Sequence, residues 1–335
     1  MKLKSITLHL PALALFAAAG LGIGVAHAQA PAAPLELKAQ PARQSASAVQ
    51  APMLGAVKAG KRIVAVGDYG IALLSDDDGK HFRQAAKMPL SSTLTALSFA
   101  DEKNGWAVGH WGAIVHTADG GETWSIQRLD TQEDRPLFAV HFFNAEEGVA
   151  IGLWSLVLRT QDGGKSWETV SLPAPPDGGR ADRNLFGVFA SPKGSLFVAA
   201  ERGMVLRSDD HGKNWRYLDT GYKGSFWTGL ALQDGSLIVA GLRGSMYRST
   251  DDGRSWQMVD SGSKSSLTDL IQVGERVVGI GLDGVQVESR NGGASFTGSA
   301  REDRLSMTAL VAGAGNELIR FSRRGVVSDK EPARN

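Results

Sequence analysis

One eight-residue motif occurs six times along this chain, at near-constant spacing. The copies read SDDDGKHF (75–82), TADGGETW (117–124), TQDGGKSW (160–167), SDDHGKNW (208–215), STDDGRSW (249–256) and SRNGGASF (289–296). They share the pattern S/T-x-D/N-x-G-x-x-W/F, and successive copies are 42, 43, 48, 41 and 40 residues apart. A further step of 39 residues lands on Ser328, close to the C-terminus. A period of about 40 residues built from short strands is that of a β-propeller blade. The spacing therefore predicts an all-β, seven-bladed β-propeller with one motif turn between strands C and D of each complete blade.

Each copy reads as a hairpin turn. Extended, apolar residues precede it, as in Ala113-Ile-Val-His-Thr117, and a second extended run follows, as in Trp124 to Leu129. Asp77, Asp119, Asp162, Asp210, Asp251 and Asn291 are expected to accept backbone N–H groups two or so residues on, as Asx-type turns do. The glycine two positions later tolerates positive φ. The aromatic residue three further on (Trp124, Trp167, Trp215 and Trp256, with Phe82 and Phe296 in the first and last copies) is expected to fold back and bury its ring, removing ~150–250 Å² from water. Six turns on six blades cannot converge on one ligand, so the motif reads as a folding staple. It is the sequence element known as the Asp-box, or bacterial neuraminidase repeat.

Four strands, A to D from the axis outward, fit each repeat. In blade 2 they are 94–99, 105–109, 113–117 and 124–129; in blade 5, 228–232, 236–240, 245–249 and 256–259. One position of strand A is small in six blades: Gly55, Ala96, Ala139, Gly187, Gly229 and Ala309, with Asp269 in the seventh. Blades converge at a propeller axis, where bulky side chains would clash. Blade 7 has candidates for strands A, B and C (306–311, 317–321, 325–328) but none for D. The alternating segment Leu35-Glu-Leu-Lys-Ala39 is expected to close that blade and cover its open edge.

The N-terminus has the form of a secretory signal. Lys2 and Lys4 precede an apolar stretch from about Ile6 to Val25, and Ala26-His-Ala28 is a small-x-small cleavage site. The expected organisation is a signal peptide (1–28), a linker or closing strand (29–50), the propeller (51–330) and a short tail (331–335). Cleavage changes the net charge from +1 to −1, since only two lysines are lost. That balance argues against nucleic acid as a partner. No later apolar run approaches membrane length, so no direct membrane insertion is expected after cleavage. The absence of cysteine excludes thiol nucleophiles and thiolate metal sites. An exported chain without disulfides is expected in the periplasm.

Other chemistry finds little support. No His pair or acidic cluster has metal-ligand spacing, and no phosphate loop, dinucleotide fingerprint or Gly-x-Ser-x-Gly elbow occurs. Neither metal nor cofactor is expected. Asp-box propellers include sialidases, which resemble this chain in the box. However, Lys61-Arg-Ile-Val64 stops short of an Arg-Ile-Pro signature, and Tyr222 has no neighbouring Glu. Asp269 is a lone axial acid without an obvious partner for two-carboxylate glycoside hydrolysis. A glycan-binding or glycoside-hydrolysing propeller is the alternative to a non-enzymatic binder.

Asn104-Gly-Trp-Ala-Val-Gly109 followed by Thr117-Ala-Asp-Gly-Gly-Glu-Thr-Trp124, and Glu147-Gly-Val-Ala-Ile-Gly152 followed by Thr160-Gln-Asp-Gly-Gly-Lys-Ser-Trp167, carry a resemblance. The chain resembles the photosystem II assembly and stability factors and their relatives in non-photosynthetic bacteria, over about residues 50–330. Phe82, Phe296 and Asn291 depart from the box pattern. The resemblance implies a seven-bladed, non-enzymatic propeller that binds protein partners as an assembly or accessory factor for envelope or membrane machinery.

In such a fold the B–C turns and D–A connections share one end, and the Asp-boxes lie at the other. The third positions of the B–C turns are Tyr69, Trp111, Trp154, Arg202, Arg243, Asp283 and Arg324. Blades 1–3 thus offer aromatics, whereas blades 4, 5 and 7 offer arginines, with Arg323 beside Arg324. Arg135, Arg180, Arg183, Trp227, Arg301 and Arg304 are expected to join them from the D–A connections. Trp, Tyr and Arg dominate protein-binding hot spots, so this end is the candidate partner surface.

Overall fold

The structure is a computed structural model that describes residues 39–327. Seven sheets follow one another along the chain. Six have four antiparallel strands in sequential order, and the last has three among the described residues. The first blade comprises Met53–Ala59, Arg62–Gly67, Ala72–Ser75 and Arg83–Gln84. The second comprises Leu94–Phe99, Gly105–Gly109, Ile114–Thr117 and Ser125–Arg128, and the fifth Phe226–Ala231, Leu237–Gly241, Met246–Ser249 and Gln257–Val259. Blade 7 consists of Met307–Ala312, Leu318–Ser322 and Gly325–Val326. The seven-bladed β-propeller inferred from the repeat is the fold observed.

The core lies between blades. Strand B of blade 1 runs Ile63-Val-Ala-Val66 with every side chain fully buried, because both faces of its sheet meet a neighbouring sheet. Such strands read as continuous apolar runs, whereas a strand with one solvated face alternates. Small residues on strand A follow from the same crowding in five blades, although the register places Thr228, not the expected Gly229, at the equivalent position of blade 5. A Cβ at Gly55 would sit 3.0 Å from the backbone of Ala96 on the next blade, and one at Gly187 would sit 2.9 Å from the Trp227 carbonyl.

Box turns also lock neighbouring blades. A Cβ at Gly212 of blade 4 would lie 2.4 Å from Val149 of blade 3, and one at Gly293 of blade 6 would lie 2.4 Å from Ile238 of blade 5. The ring closes by the same rule. Gly79 of blade 1 packs on Ile319 of blade 7, and Phe82 meets Phe321 edge-on at 5.6 Å. Thr308 donates its hydroxyl to the Met53 carbonyl at 2.6 Å, and Asp78 accepts the Ala314 N–H at 3.0 Å.

The candidate closing strand, 35–39, lies outside the described residues except for Ala39. The residues that follow it are packed against the propeller. Ala42 donates its N–H to the Met88 carbonyl, and Gln44 Nε2 reaches the Ala85 carbonyl at 2.8 Å. A short 3-10 turn, Ala48–Gln50, buries Ala48 among side chains of blades 1 and 7. It lies so close to Gly325 that a Cβ there would meet the Val49 carbonyl at 1.9 Å.

Candidate functional site

The box geometry assigns the repeated acids to the fold. Asp119 Oδ1 accepts the N–H of Thr123, four residues on, at 2.9 Å, and Oδ2 accepts its hydroxyl at 2.6 Å. The acceptor reach is thus four residues, where an Asx-type turn would place it at about two. The extra length is spanned by the Ser or Thr that opens each motif. Thr117 Oγ1 donates to Asp119 at 2.8 Å and accepts the Gly121 N–H at 2.9 Å. Ser75, Thr160, Ser208, Ser249 and Ser289 repeat this double role. Sequence reasoning gave these hydroxyls no role, although their invariance across the six copies was visible.

Several box carboxylates are consequently far below their usual range. Donors from Ser166 and Thr160 hold Asp162 at about 2, and donors from Ser255 and Ser249 do the same for Asp251. Trp124 and Trp215 are buried, with their indole N–H groups on the carbonyls of Gly121 and Gly212. Trp167 and Trp256 are half-buried. Trp256 bonds the Gly253 carbonyl at 3.2 Å, whereas the buried Trp167 Nε1 has no partner among the described residues.

The opposite end is built on a different principle. In blades 1–6 the B–C turn is a three-residue 3-10 segment whose middle residue has left-handed backbone. φ is 59° at Tyr69, 59° at Trp111, 53° at Trp154, 56° at Arg202, 57° at Arg243 and 56° at Asp283. For bulky side chains this conformation costs of order 1–3 kcal/mol and persists only when surrounding structure enforces it. The enforcement comes from the next blade. The N–H of Trp111 is held by Asp134, that of Trp154 by Asn184, that of Arg243 by Ser266 and that of Asp283 by Ser306, at 2.7–3.2 Å. The backbone is clamped while the side chain points outward. Tyr69 is 68% exposed and Trp154 51% exposed, two of the four large apolar side chains standing in solvent among the described residues. Arg202, Arg243, Arg323 and Arg324 are exposed, and Trp111 is half-buried. Arg202 lies 3.8 Å from Asp177.

Not every expected residue joins this end as a free side chain. Arg183 is 2% exposed and pairs inward with Asp177, leaving its Nε and Nη1 buried without a partner among the described residues. Arg135 turns back to the Trp154 carbonyl at 3.0 Å, and Arg301 pairs with Asp303 at 3.0 Å. Trp227 belongs to strand A itself (Phe226–Ala231), not to a connection.

That strand holds a feature its residue pattern does not reveal. Every strand A carries a β-bulge at its second residue: Leu54, Thr95, Phe138, Phe186, Trp227, Thr268 and Thr308. A bulge re-aims a side chain, and here the seven bulged residues line the axial cavity. Phe138, Phe186 and Trp227 form an aromatic arc across blades 3–5, with Phe138 and Phe186 stacked at 5.7 Å. The pairing of strand A with strand B puts this mouth at the B–C turn end, since Asp68 of the first such turn donates its N–H to the Pro52 carbonyl just before strand A. Asp269, one residue further in, is the single carboxylic acid among the cavity's lining residues. Its Oδ1 accepts the Leu270 N–H and its Oδ2 the Leu310 N–H of blade 7, both at 2.8 Å. One edge of Asp269 opens on the cavity, so by surface area it is only half-buried. Protein encloses it on its other sides, and that burial pushes the carboxyl up to about 7 against the pull of the two N–H donors. Among the described residues no group of three or more His, Asp or Glu converges as metal ligands do.

Fold and surface together define a β-propeller with a stapled end and a side-chain-presenting end. Comparison with known proteins adds a family resemblance over part of the chain. Residues 79–226 match the family model described as photosynthesis system II assembly factor YCF48. The photosystem II assembly protein Ycf48 of Thermosynechococcus vestitus is 39% identical over 136 residues, 40% of this chain and 38% of that protein. The match therefore spans about two fifths of that relative's length. Among solved structures, YCF48 bound to D1 peptide superposes with a TM-score of 0.68 at 17% identity, covering 87% of this chain and 97% of that one. YCF48 from Cyanidioschyzon merolae gives 0.65 at 14% identity, covering 86% and 97%. The family resemblance read from the sequence is thus shown through residues 79–226, and the two structures share the fold.

Proposed function

We propose that this chain is a non-enzymatic, exported protein that holds a protein partner on its B–C turn end, as an assembly or accessory factor for envelope or membrane machinery. One observation carries the reading. Tyr69, Trp111, Trp154, Arg202 and Arg243 occupy equivalent left-handed positions whose backbone is strained and, for Trp111, Trp154 and Arg243, clamped by the next blade. Evolutionarily cheap glycine would relieve that strain, so the side chains themselves are what the turns retain. Rigid aromatic anchors beside arginines suit a partner with apolar and acidic groups. The related YCF48 bound to D1 peptide supports a protein partner. The signal-like N-terminus supports export to the periplasm. The cavity supplies one carboxyl where glycoside hydrolysis uses two, which favours a binder over a hydrolase.

The test is crosslinked capture from envelope extract with Arg202→Glu, Arg243→Glu and Arg324→Glu combined. Loss of hydrogen bonds and added like-charge repulsion should abolish capture while the melting temperature holds. Arg254→Glu with Lys213→Glu, on exposed residues of the box end, is the control. Capture lost in the control and kept in the triple variant would overturn the assignment of the binding end.

A further inference from the structure

The axial mouth combines three observations that the turn surface does not use. Phe138, Phe186 and Trp227 line one arc of a cavity of ≈ 270 Å³. Asp269 stands below them, where blades 1–4 and 7 carry glycine or alanine and blade 5 carries Thr228. The carboxylate has no ion-pair partner within 4 Å among the described residues, and only burial and two backbone N–H groups act on its ionisation. Each carboxylate oxygen accepts one hydrogen bond, which leaves acceptor capacity on both.

We infer that the axial mouth is a binding site for the ammonium group of a lysine side chain on a protein partner. Aromatic side chains attract cations and also cover an aliphatic stem. The layer of aromatics and the layer of Asp269 are one residue apart along strand A, about 3.3 Å, so a lysine entering from the B–C turn end passes the first and reaches the second. An ammonium is a compact donor that uses single acceptor positions. A guanidinium seeks two parallel ones on a carboxylate, and Asp269 has already committed part of each oxygen to Leu270 and Leu310. The site therefore favours lysine over arginine. It is separate from the arginine surface and of opposite charge preference.

The probe is Nα-acetyl-lysine N-methylamide, titrated into the full chain at pH 8 and followed by the amide signals of Leu270 and Leu310. Saturable shifts are expected, with affinity falling about tenfold at pH 6 as the carboxyl near 7 takes up its proton. The Nε-acetylated probe should bind at least about tenfold more weakly. Asp269→Asn should weaken binding of the free amine by a similar factor. Asp269→Ala places in blade 6 the residue that blades 2, 3 and 7 already carry, and it should do the same in a folded protein. Trp227→Ala should weaken binding about threefold or more. The triple arginine variant should leave it unchanged. Equal shifts with both probes, or undiminished affinity in the folded Asp269 variants, would overturn the proposal.

Discussion

The two ends of this propeller use left-handed backbone for opposite purposes. At the box end, two consecutive residues have positive φ, such as Gly120 and Gly121 or His211 and Gly212. Polar side chains there bond their own turn, the aromatic ring folds inward, and the glycine presses on the preceding blade. At the B–C turn end, the strained residue is a Tyr, Trp, Arg or Asp, held in four of the six turns by a side chain at the start of the next blade, and the aromatic and arginine side chains are turned toward solvent. The first end converts side chains into stability. The second accepts backbone strain in order to present side chains. A motif repeated with little variation therefore marks structure here, and equivalent positions that vary in chemistry mark the surface available to a partner.

The largest expected effect breaks one end only. Trp215 is 8% exposed, and Trp215→Ala should destabilise by about 3–5 kcal/mol in chemical denaturation. The variant that remains folded should capture partner normally. Loss of capture at unchanged stability would erase the distinction between the ends.

A second prediction contrasts acids. Box carboxylates such as Asp162 and Asp251, lowered to about 2, contribute stability that is present above the ordinary value near 4 and is lost as pH falls toward 2. Asp269 acts in the other direction. Raised to about 7 from 3.8, it binds a proton more tightly in the folded state, so its contribution is present below about pH 4 and is lost as pH rises through 7. That loss is at most about 4 kcal/mol, and less to the extent that the cavity admits water. Asp269→Asn should flatten the stability profile between pH 4 and 7 and leave the acid limb near pH 2–4 intact. An unchanged slope between pH 4 and 7 would show that the axial carboxyl is not the group responsible.

The smallest effect sharpens the comparison. Trp154→Gly should relieve a left-handed tryptophan and gain about 0.5–1 kcal/mol, while capture weakens by about 2 kcal/mol or more if the ring is an anchor. Arg243→Gly should behave alike. Gly212→Ala at the box end, by contrast, should destabilise, since φ is 80° there and Val149 occupies the space.

Much of this was legible in one dimension. The box period set blade number, the apolar runs located strands B and C, and the small residues of strand A pointed to a crowded axis. The B–C turn residues could be assigned to one end because a repeat fixes equivalent positions. Asp269 stood out as the exception in its series. The reach of the box acids did not follow from the motif, because an Asp can bond N–H groups at several distances and the bridging hydroxyl decides among them. Arg183 looked like a surface arginine because its burial depends on Asp177 and the neighbouring blade. Trp227 looked like a loop residue because strand A starts with a bulge, which breaks the alternation that would have placed it.

The sequence by itself determined the repeat, and with it the all-β, seven-bladed architecture and the separation of staple turns from presenting turns. These properties depend on local spacing and residue type, which recur in every blade. Only the tertiary structure decided how the ring closes between blades 7 and 1, which arginines face solvent, and that Phe138, Phe186, Trp227 and Asp269 meet at one mouth. Those residues lie on four different blades, and a contact across the axis exists only after all seven sheets have packed around it.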